Sequence, residues 1–180
     1  MKDNLQPGNP FPDFSLPDTK KEIVTLSEFM EGMPTVITLN RGNYCPKDRR
    51  QLQNYAVDFQ PELSVNYCKL LTVTTEPRLE SIEMRNGVGA LWPFLSDNER
   101  KLLQELDLSD ETDSRFSPVF IPTTFILNGD RTIYKIYNGW WYVGRPTVEE
   151  LRMDLRAILR QQSDWEYNKD WGIGSEKFLK

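Results

Sequence analysis

Histidine is missing from all 180 residues. That one absence excludes Ser-His-Asp and Cys-His catalysis, imidazole metal ligation and histidine proton shuttles. Cysteine occurs only twice, too few for a four-thiolate zinc site or a disulfide framework. An all-carboxylate metal site stays arithmetically open, and nothing else in the pattern asks for a metal or cofactor. No run of about 18 apolar residues is present, so no membrane span is expected. The first ten residues are polar and lack an apolar signal core. These features point to a cytoplasmic chain whose two thiols stay reduced. Basic charge is also in deficit. Lys and Arg number 22 against 27 Asp and Glu, a formal net charge of -5, which argues against nonspecific nucleic-acid binding.

What is present suffices for one domain. Hydrophobic residues make up 38% and aromatic residues 12% of the chain, enough for an ordinary core. A domain over residues 1–162 is expected, followed by a polar tail, 163–180, carrying Trp165, Tyr167, Trp171 and Phe178. The lead-in PGNPFPDFSLPD is rich in proline and offers Phe11, Phe14 and Leu16 as anchors. A short strand is expected over 22–26, with Ser27 capping one helical turn. The β-branched run Thr35–Leu39 reads as a buried strand. Leu52, Tyr55, Ala56 and Phe59 then mark one helix face, with Pro61 as its stop. KLLTVT, residues 69–74, is a second buried strand. A helix over 77–86 ends near Gly87, and a short strand follows at 92–95. Ser96 and Glu99 have capping-box spacing, as do Thr147 and Glu150. Residues 109–118 read as a loop. Thr123–Leu127 and Thr132–Tyr137 flank Asn-Gly-Asp-Arg and read as a hairpin. Alternating strands and helices closed by a hairpin predict an α/β fold, a mixed central sheet with helices on both faces.

The chemistry centres on Cys45. It lies six residues beyond the Thr35–Leu39 strand and is followed by Pro46, a residue suited to the first helical position. A thiol at a helix N-terminus faces unpaired N–H groups and the positive end of the dipole. Arg41, Lys47, Arg49 and Arg50 add positive charge, and these features lower a thiol's pKa. Asp48 opposes them. The alternative is that Cys45 is a small filler beside a solvated basic face. Cys68 starts the 69–74 strand, at the other end of a parallel pair. A 14-residue helix of roughly 20 Å separates the two positions, whereas a disulfide needs Cα atoms within about 7 Å. Cys68 therefore reads as a buried filler. The hairpin returns NGWWYVGRP to the Cys45 end, bringing Trp140, Trp141, Tyr142 and Arg145 near the thiol. An aromatic cluster covering the sheet edge is the competing account.

The ordered segments GNPFPDFSLPD, VTLSEF, VITLNRGNYCPKDRRQL, LLTVTTE, WPFLSD, IPTTFILNGDRTIYKIYNG and VGRPTVEEL resemble the peroxiredoxins of the alkyl hydroperoxide reductase and thiol-specific antioxidant group, within the thioredoxin-like superfamily. The resemblance implies a thioredoxin-like fold and a thiol-dependent peroxidase with Cys45 as nucleophile. It implies Arg41 or Arg145 as the supporting cation, and a pocket formed by Tyr44, Pro46, Asp48, Arg49, Pro122, Thr123, Trp140 and Trp141. Pro122 resembles the cis-proline that faces the thioredoxin cysteine. The implied partners are a peroxide, hydrogen peroxide or an organic hydroperoxide, and an external thiol reductant, thioredoxin-like or small. A homodimer is compatible with the resemblance. Three departures stand. The family motif Pro-x-x-x-Thr/Ser-x-x-Cys is unmet, since Thr38 and Gly42 occupy its first two fixed positions. No arginine directly precedes TFIL. YCPKD also matches a Cys-Pro-x-Cys pattern with Asp48 in the second cysteine's place. Another alignment puts Cys45 at the motif's threonine and Asp48 at the peroxidatic position. Under that alignment the peroxidase would be dead. The rival functions are a monothiol disulfide oxidoreductase or redox sensor that uses Cys45, and a catalytically silent thioredoxin-fold interaction module.

Overall fold

The computed structural model describes residues 1–63 and 65–161; the tail and its four aromatic residues lie outside the described residues. A small antiparallel pair, β1 (Ser15–Pro17) and β2 (Ile23–Thr25), precedes α1 (Leu26–Met30). The main sheet comprises β3 (Thr35–Asn40), β4 (Lys69–Thr74), β5 (Phe94–Ser96), β8 (Thr123–Leu127) and β9 (Ile133–Asn138) in the order β5-β4-β3-β8-β9. β3, β4 and β5 run parallel, β8 runs antiparallel to β3, and β9 pairs antiparallel with β8, which turns it back into the direction of β3. This is the mixed α/β sheet expected from the element order.

Alternation along the strands builds two cores. Val36, Leu70, Phe94 and Ile126 face α2 (Pro46–Asn54), α4 (Arg78–Val88) and α6 (Val148–Gln161). Ile37, Leu39, Leu71, Val73 and Phe125 face α1, α5 (Lys101–Leu106) and the anchors Phe11, Phe14 and Leu16. Every residue of β3 is buried. That explains its unbroken apolar and threonine character, as a strand covered on both faces has no polar side.

Several local expectations are corrected. Ser27 lies inside α1, which starts after Thr25, and its N–H donates to Asp13. Pro61 does not end the helix after Cys45. The chain widens into a π-helical turn, Tyr55–Phe59, and continues as α3 (Gln60–Leu63). The Gln60 N–H bonds back five residues to Tyr55, which accommodates a proline that has no N–H of its own. The turn of α4 comes at Gly89, φ 75°, rather than Gly87. Before α5 the Ser96–Glu99 box does not form. Asp97 instead accepts the N–H groups of Leu102 and Leu103 at 3.2 and 2.8 Å. The 109–118 loop holds β6 (Ser109–Asp110), paired with β7 (Val119–Phe120). The Thr147–Glu150 box does form, with N–H to side-chain distances of 2.7 and 3.3 Å.

Register places the site. Leu39 pairs with both Val73 and Thr123, and Thr123 pairs with Asn138. The segments following β3, β4 and β9 and the segment preceding β8 therefore meet at one end of the sheet. Cys68, just before β4, lies at the other end. Both cysteines are free and buried.

Candidate active site

Cys45 is the N-cap of α2, with Pro46 at the first helical position. Its N–H donates to the Gly42 carbonyl at 3.0 Å and its own carbonyl accepts from Arg49 at 3.1 Å. Cys45 is 5% exposed and lines a pocket of about 330 Å³ with Arg41, Tyr44, Pro46, Lys47, Trp140, Trp141 and Arg145. The loop after β9 thus reaches the thiol, as the hairpin geometry requires.

Arg145 is the cation beside the sulfur, with Nη2 at 3.8 Å from Cys45 Sγ. It is almost fully buried and committed elsewhere. Asp48 Oδ1 accepts from Arg145 Nε at 2.7 Å and also from Nη2. Asp48 Oδ2 accepts the backbone N–H groups of Arg41 at 2.6 Å and Gly42 at 3.3 Å. Asp48 is completely buried, so this carboxylate knits the loop before Cys45 to the loop before α6. Arg145 Nη1 donates to the Trp141 carbonyl at 2.8 Å. Tyr55 Oη donates to the Pro146 carbonyl at 2.6 Å, and Thr124 Oγ1 to the Gly144 carbonyl at 2.9 Å. These bonds hold the loop against α2 and the sheet.

The electrostatics reverse one expectation. Burial pushes the Cys45 thiol up, and the Asp48 charge adds to that; backbone N–H groups of Asp48 and Lys47 and the Arg145 cation only partly offset them. Basic residues in the sequence are not basic charge at the sulfur. Arg49 and Arg50 are exposed, and Arg49 does not line the Cys45 pocket. Arg41 pairs with Asp113 at 2.8 Å and with Asp110 at 3.4 Å. Cys68 is set apart more strongly, its thiol pushed up to about 12 by burial.

Of the sequence-derived residues, Arg41, Tyr44, Cys45, Pro46, Trp140, Trp141 and Arg145 come together around the pocket, with Asp48 directly behind Arg145. Pro122 and Thr123 do not line it. The Pro122 carbonyl accepts the Gly139 N–H at 3.1 Å, and a side chain on Gly144 would collide with that carbonyl. Both residues support the loop from below. Among the described residues the cis peptide is Ser117–Pro118, not Ile121–Pro122.

Periodicity and motif spacing carry little sign of the 109–118 segment or of Glu76. Phe116 stacks on Tyr44 with ring centroids 3.7 Å apart, and Asp110 and Asp113 hold Arg41. Glu76 accepts the Asn43 N–H at 2.7 Å and packs over Gly42, whose φ is 135°. Burial raises the Glu76 carboxyl. Arg41 Nε and Tyr44 Oη, both buried on the pocket wall, have no hydrogen-bond partner among the described residues. No group of three or more Cys, Asp or Glu among the described residues is arranged to hold a metal ion. No helix among them is long and apolar enough to cross a membrane.

A thioredoxin-like sheet with a buried cysteine at the start of its first crossover helix defines a redoxin. Residues 7–136 match the model of the AhpC/TSA family; the chain belongs to that family and is an oxidoreductase of the peroxiredoxin-like thiol peroxidase class. Solved structures with this fold include the peroxidoxin BcpB from Mycobacterium tuberculosis, 18% identical with a TM-score of 0.72 over 88% of this chain and 99% of that one. AhpC of Mycobacterium tuberculosis is 20% identical, TM-score 0.72, over 89% and 98%. A mutant of peroxiredoxin 6 from Arenicola marina is 17% identical, TM-score 0.74, over 97% and 89%. A search of curated protein sequences finds no match.

Proposed function

We propose that the protein reduces peroxides by a one-cysteine mechanism in which Cys45 is the nucleophile. One observation carries the reading. Cys45 and Arg145 line one pocket, with the Arg145 guanidinium 3.8 Å from the sulfur. Arg41 and Tyr44 line the same pocket. Deprotonated Cys45 attacks one peroxide oxygen. The O–O bond breaks, the second oxygen leaves as alkoxide or hydroxide and takes a proton, and the sulfur is oxidised to sulfenic acid. The Arg145 guanidinium beside the sulfur stabilises the charge that develops on the departing oxygen. An external thiol condenses with the sulfenic acid, releasing water, and a second thiol returns Cys45 to the thiol while forming the reductant's disulfide. Cys68, at the far end of the sheet, takes no part. A reducing, cytoplasmic setting suits two free thiols.

A second reading has its own support. Asp48 occupies Arg145 and the backbone N–H groups at the helix entry, the place that the alternative alignment assigns to the reactive group. On that reading Cys45 forms mixed disulfides and does not turn over peroxide. Stopped-flow mixing with hydrogen peroxide and cumene hydroperoxide, followed by mass detection of a single added oxygen, separates the two. The proposal expects oxidation of wild type, none at this site in Cys45→Ser, and near-wild-type turnover in Cys68→Ser. A dead Cys68→Ser with an active Cys45→Ser overturns it.

A further inference from the structure

Trp141 combines two unfavourable features. Its φ is 61°, in the left-handed region where a bulky side chain is an outlier. It is also 65% exposed, so burial of the ring does not account for the residue. Among the described non-glycine residues with positive φ, Trp141 is the one that lines the thiol pocket. Backbone in a sparsely populated conformation persists where its surroundings over-determine it. Here those surroundings are explicit. The Gly139, Trp140 and Tyr142 carbonyls accept the N–H groups of Gly144, Val143 and Arg145 at 3.1, 3.2 and 3.1 Å, which coils the loop around Trp141. Lys47 Nζ lies over the Trp141 ring, 3.3 Å from its centroid, and so ties the loop to the first turn of α2.

The remaining carbonyl of this coil, that of Trp141, accepts from Arg145 Nη1 at 2.8 Å. The other edge of the guanidinium, Nε and Nη2, is turned to Asp48. A planar fork held on both edges has one orientation, and that orientation leaves Nη2 at 3.8 Å from Cys45 Sγ. Asp48 alone would let the fork pivot about the shared oxygen. The Trp141 carbonyl removes that freedom, and its direction depends on the left-handed φ. A right-handed Trp141 would turn the peptide group over and withdraw the oxygen from Nη1.

We infer that Trp141 is a positioning residue whose left-handed backbone aims the carbonyl that fixes Arg145 against Cys45. The inference deepens the reading of Cys45 as the reacting thiol by naming what orients its cation. It assigns the strain at Trp141 a use that lining the pocket would not require, since a ring can line a pocket from an ordinary backbone.

The test separates backbone from ring. Asparagine and glycine accept a left-handed φ and valine does not, while all three lose the ring and its contact with Lys47. Iodoacetamide alkylation of Cys45 is followed across pH 6–11 in a Cys68→Ser background. The rate at pH 7 is taken relative to its high-pH plateau, which reports the thiolate fraction rather than access to the sulfur. That ratio should be about threefold lower in Trp141→Val than in Trp141→Asn, with a titration midpoint about half a unit higher. Trp141→Gly should group with the asparagine variant although it removes the most atoms; a role in packing alone would rank it below valine. Arg145→Lys keeps a charge for Asp48 but lacks the Nη1 arm. In that background the valine and asparagine variants should titrate alike, because the carbonyl has lost its donor. Equal midpoints in Trp141→Val and Trp141→Asn overturn the inference, and so does a gap between them that survives in Arg145→Lys. If Arg145→Lys fails to fold, the order of the valine, asparagine and glycine variants still decides. Alkylation needs no peroxide. A gap between the two variants in a protein whose Cys45 is left unoxidised by peroxide would sink the peroxidase mechanism and leave the inference standing.

Discussion

Replacing Asp48 by asparagine tests the electrostatics of the site most directly. The substitution keeps the shape and an oxygen able to accept the Arg41 and Gly42 N–H groups, but removes the charge. Arg145 Nη2 stands 3.8 Å from the Cys45 sulfur. A full unit charge at about 4 Å is worth about 4 kcal/mol at an effective dielectric of 20. In wild type most of that attraction is directed to Asp48, which also repels a thiolate. If about a third returns to the sulfur, roughly 1.4 kcal/mol, the thiolate population at neutral pH rises about tenfold. Iodoacetamide labelling of Cys45 across pH 6–11, in a Cys68→Ser background, reads this as a faster rate at pH 7 and a titration midpoint at lower pH. The sign follows from the protonated thiol being favoured in the fold: wild-type Cys45 ionises above its ordinary range, so its reaction with peroxide must accelerate as pH rises through that range. The same substitution breaks a buried ion pair and leaves Arg145 uncompensated, at a cost of about 3–5 kcal/mol. Circular dichroism at the assay temperature confirms folding before rates are compared. A midpoint moved to higher pH would refute the reasoning. It would mean that Asp48 serves mainly to aim Arg145 at the sulfur, and that the aim outweighs the repulsion.

Three further outcomes are expected. Oxidation of Cys45 should change the tryptophan fluorescence; Trp140→Phe and Trp141→Phe, singly or together, should shrink that change, since both rings line the thiol's pocket. An undiminished change in the double variant would detach the loop from the site. Arg145→Ala should slow peroxide oxidation at least tenfold, whereas Arg156→Ala, an equal loss of charge on the exposed side of α6, should not; stopped-flow rates at 0.15 M salt, where screening acts over about 8 Å, make the comparison. Arg152, which the helix period alone marks as solvent-facing, is unsuitable as that control because it binds Glu62 and the Asp58 carbonyl. Gly42→Ala should cost about 2 kcal/mol, because φ is 135° and the added carbon meets the Glu76 carboxylate; a thermal midpoint lowered by roughly 4–8 °C is expected, and an unchanged midpoint would show that the turn relaxes freely.

The parts of the fold written in periodicity were legible. The buried runs Thr35–Leu39 and Lys69–Thr74, the apolar stripe of α6 and its capping box all form where the pattern places them, because each is set by residues within one element. Errors fell where a distant residue decides the local structure. Ser96 and Glu99 have the right spacing for a box, yet Asp97 is nearer the emerging N–H groups and takes them. Pro61 reads as a stop in any isolated helix, and the π-helical turn that admits it has no periodic signature. The 109–118 segment looked like solvent-exposed loop because it is polar. Its buried Asp110 and its Asp113 are polar because Arg41, some seventy residues earlier, must be held beside the pocket.

The active site divides along the same line. Position was readable: a cysteine following a buried strand, then proline, can only begin the crossover helix, and the hairpin then returns Trp140 and Arg145 to it. Charge state was not. Arg41, Lys47, Arg49 and Arg50 crowd Cys45 in the sequence and suggest a lowered thiol, yet helix geometry turns Arg49 and Arg50 outward, and Arg41 is claimed by two aspartates. The cation that reaches the sulfur comes from a hundred residues away and arrives already paired. Since Asp48 is the residue that pairs it, the same carboxylate that makes the chain depart from the Cys-Pro-x-Cys pattern also adds to the upward push that burial gives the Cys45 thiol. The departure in sequence thus contributes to the elevated thiol, with burial contributing more. Restoring cysteine by Asp48→Cys should undo both properties together, freeing Arg145 and lowering the pH at which Cys45 reacts.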